Sequence, residues 1–298
     1  MQGFFLVLAT FLASVEALVR WRHPTRGLVP PEEFIQLAEQ TRLIRPITRW
    51  VMDAALRQCR AWREAGFDIP VAINLSIHDL QDPALPDQVN LLLATHAVPP
   101  EQLRLEITES ALLVEPRRAR EVLARLRATG VRISIDDFGT GYSSLAYLKD
   151  LPVDELKIDR SFVRDMAADP SARAIVRAVI DMADDLGLRV IAEGVEDRAT
   201  LQVLASLGCD LAQGYHFSPP VGAAELAGWA AGVGPARLAQ PERDSVEAAL
   251  GERVRRRSSR LAAEEDFLAR KRAEAALRAS EERYRSVVTT RVVTRSAT

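Results

Sequence analysis

The stretch Val131-Arg-Ile-Ser-Ile-Asp-Asp137 decides the fold, because an apolar run in it ends on two adjacent carboxylates. Five other apolar runs also end on a polar residue that can hold a metal ion or a phosphate: Asn74, Glu106, Lys157, Glu193 and Gln213. If these runs are parallel strands of one sheet, the polar groups emerge at the same edge. α/β barrels build active sites at that edge, because the loops after the strands converge there. The pattern therefore predicts a chemistry as well as a fold.

Helix-like stretches alternate with the strand-like runs. The helical patterns cover 46–64, 116–128, 171–186 and 197–207, and they close at Gly66, Gly130, Gly187 and Gly208. Glycine just past a helix tolerates a left-handed cap conformation. Strands that alternate with helices imply a parallel sheet, and roughly seven strands fit between Glu16 and residue 232, near the size of a barrel. The predicted fold class is therefore α/β, a (β/α)₈ TIM-like barrel.

The bulk composition limits the class of protein. The chain has 298 residues, 48% of them hydrophobic, and a formal net charge of -2. That balance argues against a general binder of nucleic-acid polymers, which would show a basic excess. The two cysteines, Cys59 and Cys209, lie in apolar contexts and are interpreted as buried free thiols. This usage suits a reducing cytoplasm, which is the predicted location.

The two ends of the chain differ from its centre. The apolar run Phe4–Leu12 is far shorter than the roughly 20 residues that span a bilayer. It resembles the core of a signal peptide, but no Lys or Arg precedes it. We therefore expect no transmembrane segment here, and a core strand or a substitute start over residues 1–14. After the main domain, residues 15–232, we predict a linker over 233–243, a helical segment over 244–288 and a disordered tail over 289–298. The helical segment fits either a signalling coiled coil or a solvated helix.

Oxygen ligands dominate the polar residues at the strand ends. Carboxylates and an amide oxygen, without His or Cys, suit hard cations such as Mg²⁺ or Mn²⁺. The adjacent Asp136 and Asp137 repel each other unless cations lie beside them, so together they can serve two metals. Paired cations about 3.5–4 Å apart are common in phosphodiester cleavage. The predicted metal ligands are Glu16, Asn74, Glu106, Asp136, Asp137 and Glu193.

Seven short motifs occur in a fixed order along the chain. They are Glu16-Ala17-Leu18, Asn74-Leu75-Ser76, Glu106-Ile107-Thr108-Glu109, Asp136-Asp137-Phe138-Gly139-Thr140-Gly141, Leu156-Lys157-Ile158-Asp159, Glu193-Gly194-Val195-Glu196 and Gln213-Gly214-Tyr215. Together they closely resemble the EAL-domain family of cyclic di-GMP (c-di-GMP) phosphodiesterases. The resemblance covers about residues 15–232.

The resemblance implies hydrolysis of c-di-GMP to linear pGpG with two divalent cations, which lowers the level of a bacterial second messenger. By motif, the first metal would be held by Glu16, Asn74, Glu106 and Asp136. Asp136 would bridge to a second metal, completed by Asp137 and Glu193. The family also implies a homodimer formed through the barrel.

The same resemblance assigns roles to residues that are not metal ligands. Lys157 is expected to be catalytic, with Glu193 and Asp136, because a buried ammonium can neutralise charge that builds on phosphorus. Arg20 is expected to contact a substrate phosphate, since strand alternation places it on the face of Glu16. Gln213 is expected to bind the substrate or a metal-bound water.

Three acidic residues are expected to act behind the ligands. Glu109 would anchor the loop 137–145, which in the family couples dimerisation to metal binding. Asp159 and Glu196 would orient Lys157 and the cations, with a structural salt bridge as the alternative for each.

The chain departs from the family at its start. Residues Met1–Ser14 lack the family's helix and Gln-Pro-Ile-type first strand, so the barrel is predicted either to lack that strand or to substitute Phe4–Leu12 for it. Residues 270–288 resemble a helix that introduces PAS sensor domains. A catalytically impaired domain that binds c-di-GMP as a sensor or regulatory partner is the alternative function.

Overall fold

The computed structural model describes residues 2–10, 14–141 and 148–226, the first range by its backbone alone. The strands are β1 (Gln2–Thr10), β2 (Ser14–His23), β3 (Gly27–Val29), β4 (Val71–Leu75), β5 (Leu103–Thr108), β6 (Arg132–Phe138), β7 (Glu155–Ile158), β8 (Arg189–Ala192), β9 (Leu211–Ala212) and β10 (Val221–Gly222). The α-helices are α1 (Ile35–Gln40), α2 (Ile44–Glu64), α3 (Ile77–Leu80), α4 (Leu85–His96), α5 (Glu109–Val114), α6 (Pro116–Ala128), α7 (Arg160–Val163), α8 (Pro170–Asp185) and α9 (Arg198–Leu207). Short 3₁₀ turns cover Pro31–Glu33 and Pro100–Gln102.

One sheet contains all of these strands, in the order β10-β1-β2-β4-β5-β6-β7-β8-β9, with β3 paired to β2. Each neighbouring pair from β2 to β9 is parallel. The sheet is rolled, because Gln213, just past β9, donates a hydrogen bond of 2.8 Å to Glu16 on β2. The expected α/β barrel is confirmed, and the carboxyl ends of its parallel strands form one mouth.

The first strand of the sheet comes from the segment that departs from the family. Strand β1 pairs antiparallel with β2 from Gln2↔Arg22 to Thr10↔Ser14. Its other edge pairs antiparallel with β10. The substitute strand is therefore present, and it covers the edge of β2 that a missing strand would expose.

The predicted helices agree closely with the observed ones. Helix α2 begins two residues earlier than expected and α8 begins at Pro170, where proline suits the first helical turn. Left-handed φ values occur at all the glycines expected to end helices: Gly66, Gly130, Gly187 and Gly208. Among the described helices, none is both long enough and apolar enough to cross a membrane. The expected segments 233–243, 244–288 and 289–298 lie outside the described residues.

Strand alternation divides the apolar core from a polar barrel interior. On β5, Leu103, Leu105 and Ile107 belong to the hydrophobic core, which also includes the buried faces of the helices. Arg104 and Glu106 lie on the opposite face of the same strand, and both are buried. The interior of this barrel is thus lined partly by charged side chains, which must be paired there.

A layer of buried ion pairs lies inside the barrel. Two of its residues, Arg104 and Glu155, lie two positions before Glu106 and Lys157. Arg104 Nη1 donates to Ser14 Oγ at 2.7 Å and lies 3.8 Å from Glu155 Oε2. Arg189 also pairs with Glu155, whose side chain is fully buried. Burial lowers the pKa of Arg104, although the carboxylate of Glu155 acts in the opposite direction.

We expect Glu155→Gln to lower the free energy of unfolding by about 3–5 kcal/mol, because it leaves the buried Arg104 without a counter-charge. Urea unfolding measures this loss. The control is Glu64→Gln, which removes an exposed partner of Arg60 and should change stability by about 0.5 kcal/mol or less. Equal effects of the two substitutions would contradict a role for the buried layer.

Candidate active site

The mouth of the barrel gathers polar side chains that lie on, or directly after, seven strands. Glu16 lies on β2, Asn74 on β4, Glu106 on β5, Asp136 and Asp137 on β6, and Lys157 on β7. Glu193 and Gln213 follow directly after β8 and β9. The apolar runs were predicted to stop before these residues, but four of the strands continue through them. Six of these eight side chains therefore stand on strands, and the other two directly follow one.

Lys157 lies at the centre of this group. Its Nζ is 2.7 Å from Glu193 Oε1, 2.8 Å from Glu106 Oε2, 3.1 Å from Asp136 Oδ1 and 3.8 Å from Glu16 Oε2. The lysine side chain is 1% exposed. A fully buried ammonium is tolerated only where carboxylates surround it. We call Glu16, Glu106, Asp136, Asp137 and Glu193 the carboxylate cluster.

Two side-chain amides fix the position of Glu16. Asn74 Nδ2 donates to its Oε1 at 2.7 Å, and Gln213 Nε2 donates to its Oε2 at 2.8 Å. Both amides approach with their nitrogen atoms, so the carbonyl oxygen of Asn74 stays available as a ligand. Glu16 is thus held between an amide on the neighbouring strand β4 and one just past β9.

Three carboxylates of the cluster lie close enough together to share one cation. Oxygens of Asp136, Asp137 and Glu193 all lie within 4.8 Å of one another. Asp137 has a left-handed φ of 53°, which is uncommon for a residue other than glycine. Its carboxyl contacts that of Asp159, which also caps α7 by accepting from Ser161 N at 3.0 Å. Asp159 therefore contacts Asp137, and its role in orienting Lys157 and the cations stays a prediction.

The electrostatics of the cluster favour added positive charge. Burial raises the pKa of Glu106 well above its ordinary value, and it raises that of Glu193 to about 7, although Lys157 acts in the opposite direction on both. Burial and Asp136 raise the pKa of Asp137. Burial would lower the pKa of Lys157, but the surrounding carboxylates, Glu106 foremost, raise it well above its ordinary value.

The donor set fits hard divalent cations. The cluster offers carboxylate oxygens and the neighbouring Asn74 an amide oxygen, without sulfur or imidazole, which is the ligand type that Mg²⁺ and Mn²⁺ prefer. Among the described residues, the one ammonium that pairs with these carboxylates is that of Lys157. The residues present therefore match both the charge and the chemistry of such ions.

Glu109 holds the backbone that follows β6. Its Oε2 accepts from Gly139 N at 2.9 Å, and the side chain is 4% exposed. A Cβ added at Gly141 would lie 2.7 Å from Glu109 Oε1, so a larger residue at this position would displace the end of the Glu109 side chain. Residues 142–147 of the predicted loop lie outside the described residues.

Two predicted site residues lie apart from the cluster's hydrogen bonds. Arg20 Nη1 donates to the carbonyl oxygen of Val19 at 2.9 Å. The Glu196 carboxylate is 56% exposed and lies 4.0 Å from Arg164 Nη2. This pairing corresponds to the salt-bridge alternative for Glu196, and its role toward the cations stays a prediction.

Sequence reasoning missed two features beside the site. One is the Arg104–Glu155 pair, although each residue lies two positions before a predicted site residue and so shares its strand face. The other is a cleft of about 800 Å³ next to the cluster, lined partly by α1 and α2. The repeat of polar residues at 32, 36 and 39 was the available signal for it.

Comparisons with known proteins agree with this geometry. Residues 10–220 match the EAL domain profile. MucR of Pseudomonas aeruginosa, a bifunctional diguanylate cyclase/c-di-GMP phosphodiesterase, is 45% identical over 216 residues, 72% of this chain and 32% of MucR. The c-di-GMP phosphodiesterase PA2567 of the same species is 42% identical over 216 residues, 72% of this chain and 37% of that protein. The chain thus spans about a third of the length of these curated relatives.

Solved structures show the same architecture. The PaMucR phosphodiesterase in complex with c-di-GMP superimposes with a TM-score of 0.73 at 43% identity, covering 76% of this chain and 94% of that one. The EAL domain of FimX from Pseudomonas aeruginosa, bound to c-di-GMP, gives a TM-score of 0.67 at 26% identity, covering 74% and 90%. With the profile match over 10–220, these likenesses show that the chain belongs to the EAL domain family.

Proposed function

We propose that this chain hydrolyses c-di-GMP to linear pGpG with the help of two divalent cations, Mg²⁺ or Mn²⁺. The observation that carries the proposal is the complete carboxylate cluster around the buried Lys157. Relatives that share more than 40% identity with the chain are named c-di-GMP phosphodiesterases, which supports the same substrate.

The cluster and Asn74 would together hold two cations. Glu16, Asn74, Glu106 and Asp136 would hold the first, and Asp136, Asp137 and Glu193 the second. When bound, such ions offset charge on phosphoryl oxygens and activate water for attack on phosphorus. The proximity of Asp136, Asp137 and Glu193, within 4.8 Å of one another, supports the second set.

The chain's own groups would orient the substrate and balance its charge. Burial would lower the pKa of Lys157, but the surrounding carboxylates raise it and favour the ammonium, which can donate hydrogen bonds. It is placed to stabilise negative charge that builds during phosphodiester cleavage. Gln213 would hold Glu16 in position and face the substrate, and Arg20 would leave its present carbonyl partner to bind a phosphate.

Membership of the family also supports a proposal about the location and the oligomeric state of the protein. We propose a cytoplasmic signalling protein that lowers the c-di-GMP level and acts as a homodimer through the barrel. Size-exclusion chromatography with light scattering tests the dimer directly, and a monomer at working concentrations would contradict it.

Incubation of the purified chain with c-di-GMP and Mg²⁺ or Mn²⁺ tests the enzymatic proposal. We expect pGpG to accumulate, and EDTA to stop its formation. Tight binding of c-di-GMP by the folded chain without any pGpG would contradict the proposal and select the sensor alternative. A cooperative thermal transition establishes beforehand that the preparation is folded.

The contact between Glu109 and Gly139 leads to a further prediction. We expect Glu109→Ala to weaken Mg²⁺ binding by about 10–100-fold, as is usual when a group that supports metal ligands is lost. Isothermal titration calorimetry measures the change. Glu109→Gln should lose less affinity, because its amide oxygen can still accept from Gly139 N. Exposed Glu101→Ala serves as the control, and an unchanged Mg²⁺ affinity in Glu109→Ala would contradict the coupling.

A further inference from the structure

Three loops lie side by side at the mouth of the barrel, because β7 pairs between β6 and β8 in the sheet. The middle loop follows β7 and contains residues 159–162, which cap and begin α7. We call these residues the spacer segment. The chain that carries Asp137 lies on one side of it, and the turn that follows Glu193 lies on the other. Two proposed ligands of the second cation therefore flank one short segment.

Arg160 fills the space between the spacer segment and the turn after Glu193. A Cβ added at Gly194 would lie 2.5 Å from Arg160 Cβ and 3.2 Å from its Cα. Neither atom moves when the arginine side chain rotates, so the backbone of Gly194 rests directly on the spacer segment. Just before this contact, Glu193 N donates to the carbonyl oxygen of Ile158 at 3.1 Å. The backbone around Glu193 is thus held by the end of β7 and by Arg160.

Phe162 fills the space on the Asp137 side. A Cβ added at Gly139 would lie 3.0 Å from Phe162 Cε2 and 3.5 Å from its Cζ. The half-buried ring also packs against the hydrophobic core, and the next residue, Val163, is fully buried. The ring therefore has little freedom to move away from Gly139. Since the carboxyl of Asp159 contacts that of Asp137, the spacer segment touches both this side chain and the backbone two positions after it.

A fixed spacing matters here because the ligands of the second cation repel one another. Oxygens of Asp136, Asp137 and Glu193 lie within 4.8 Å of one another, and like charges at such distances drive carboxylates apart. Mg²⁺ demands near-octahedral ligands at about 2.0–2.1 Å, so a small increase in their separation costs affinity. A support that keeps the two chains at a set distance lowers the cost of assembling the site.

We propose that Arg160 and Phe162 are positioning residues for the second cation. Between them they set the distance from Asp137 to Glu193, and that distance sets the affinity for the ion. Neither residue supplies a ligand; each acts through the glycine that it touches. The proposal rests on the proposed function for the second cation, but Mg²⁺ binding in the absence of c-di-GMP tests it without any turnover.

Gly194→Ala tests the Arg160 side. The added Cβ would collide with Arg160 and push the turn away, so Mg²⁺ should bind about 10–100-fold more weakly at one of its two sites. Isothermal titration calorimetry of the full chain measures both sites. Gly27→Ala is the matched control, because its φ of 71° is close to the 69° of Gly194 and its Cβ would have nothing within 4 Å. It carries the same backbone strain without the collision and should keep the wild-type Mg²⁺ affinity.

A second substitution separates the collision from the strain. In the Gly194→Ala background, Arg160→Gly removes the Cβ and should recover about fivefold or more of the lost affinity, as expected for residues in contact. Arg160→Ala keeps that Cβ and should recover nothing, although both changes remove the guanidinium. Wild-type Mg²⁺ affinity in Gly194→Ala would overturn the proposal. Equal recovery with Arg160→Gly and Arg160→Ala would overturn it as well.

Phe162→Ala tests the other side and does not depend on whether Gly194→Ala folds. Loss of the ring removes the support of Gly139, so one Mg²⁺ should bind about tenfold more weakly. In turnover, kcat should fall at limiting Mg²⁺ and return to the wild-type value at saturating Mg²⁺, with KM for c-di-GMP unchanged. A kcat that saturating Mg²⁺ does not restore, or an unchanged Mg²⁺ affinity, would overturn the proposal. Absence of pGpG together with the expected Mg²⁺ affinities would reject the enzymatic function and keep the positioning role.

Discussion

Lys157→Met is expected to abolish hydrolysis of c-di-GMP and to destabilise the metal-free protein. The ammonium lies within 4 Å of four carboxylates and is 1% exposed. Its removal leaves buried negative charges without a partner, which costs about 3–5 kcal/mol. Loss of a preorganised positive group beside the reacting phosphate should lower kcat by about 100-fold or more.

Divalent cations should reverse the loss of stability but not the loss of activity. Cations bound to the cluster replace the missing positive charge, so Mg²⁺ should raise the Tm of Lys157→Met more than that of the wild type. They cannot restore the hydrogen bonds that Nζ donates. Differential scanning calorimetry with and without Mg²⁺, together with pGpG assays, measures both effects.

Lys149→Met is the matched control, because Lys149 is exposed and has no role in the site. It should keep both its Tm and its rate. A normal rate in Lys157→Met would remove the lysine from the catalytic groups. A Tm equal to that of Lys149→Met would show that the cluster does not depend on Lys157 for its stability.

The sequence predicts the parallel part of the barrel because its signals are local. Runs such as Val131–Ile135 are mostly apolar, and the helices before β4, β6, β8 and β9 close on a glycine with left-handed φ, as at Gly130. These features depend on a few neighbouring residues, so they can be read one unit at a time. The strand β9 is shorter than its predicted run, 209–212, because it covers only Leu211–Ala212. Asp210 lies before it and accepts from Val190 N at 2.7 Å.

Features that depend on distant pairing were harder to predict. The hairpin of β1 and β2 forms because a substitute apolar run meets the edge of β2, and no local pattern fixes its antiparallel direction. Arg104 and Glu155 are 51 positions apart in the sequence, and so are Glu106 and Lys157. Glu106 and Lys157 were singled out, each for its own role, because they belong to recognised motifs, whereas Arg104 and Glu155 were missed because they do not.

The sequence predicts which residues form the site better than it predicts the position of each one. The strand positions of Glu16, Asn74 and Glu106 follow from the motifs, and the structure brings their side chains together around one lysine. The motif does not predict that Glu196 is exposed and lies beside Arg164, because this part of the motif lies in a loop after β8. Strand residues are fixed by the sheet, whereas loop residues depend on packing that the sequence does not state.

Glu193→Ala is expected to lower turnover of c-di-GMP by about 1,000-fold or more while largely sparing the fold. Glu193 Oε1 lies 2.7 Å from Lys157 Nζ, and its oxygens lie within 4.8 Å of Asp136 and Asp137. Removing it takes one ligand from the proposed second cation, and loss of that cation removes charge compensation at the phosphate. Steady-state assays over a range of Mg²⁺ concentrations measure the effect.

The fold should survive this substitution because Lys157 keeps its other partners. Glu106, Asp136 and Glu16 still surround the ammonium, and the lost carboxylate was itself disfavoured by burial, which raises its pKa to about 7. Calorimetric titration should then find one Mg²⁺ site in place of two. The exposed Glu121→Ala on α6 serves as the control. Two Mg²⁺ sites with near-normal kcat would place Glu193 outside the metal ligands, whereas a lost thermal transition would make it a structural residue.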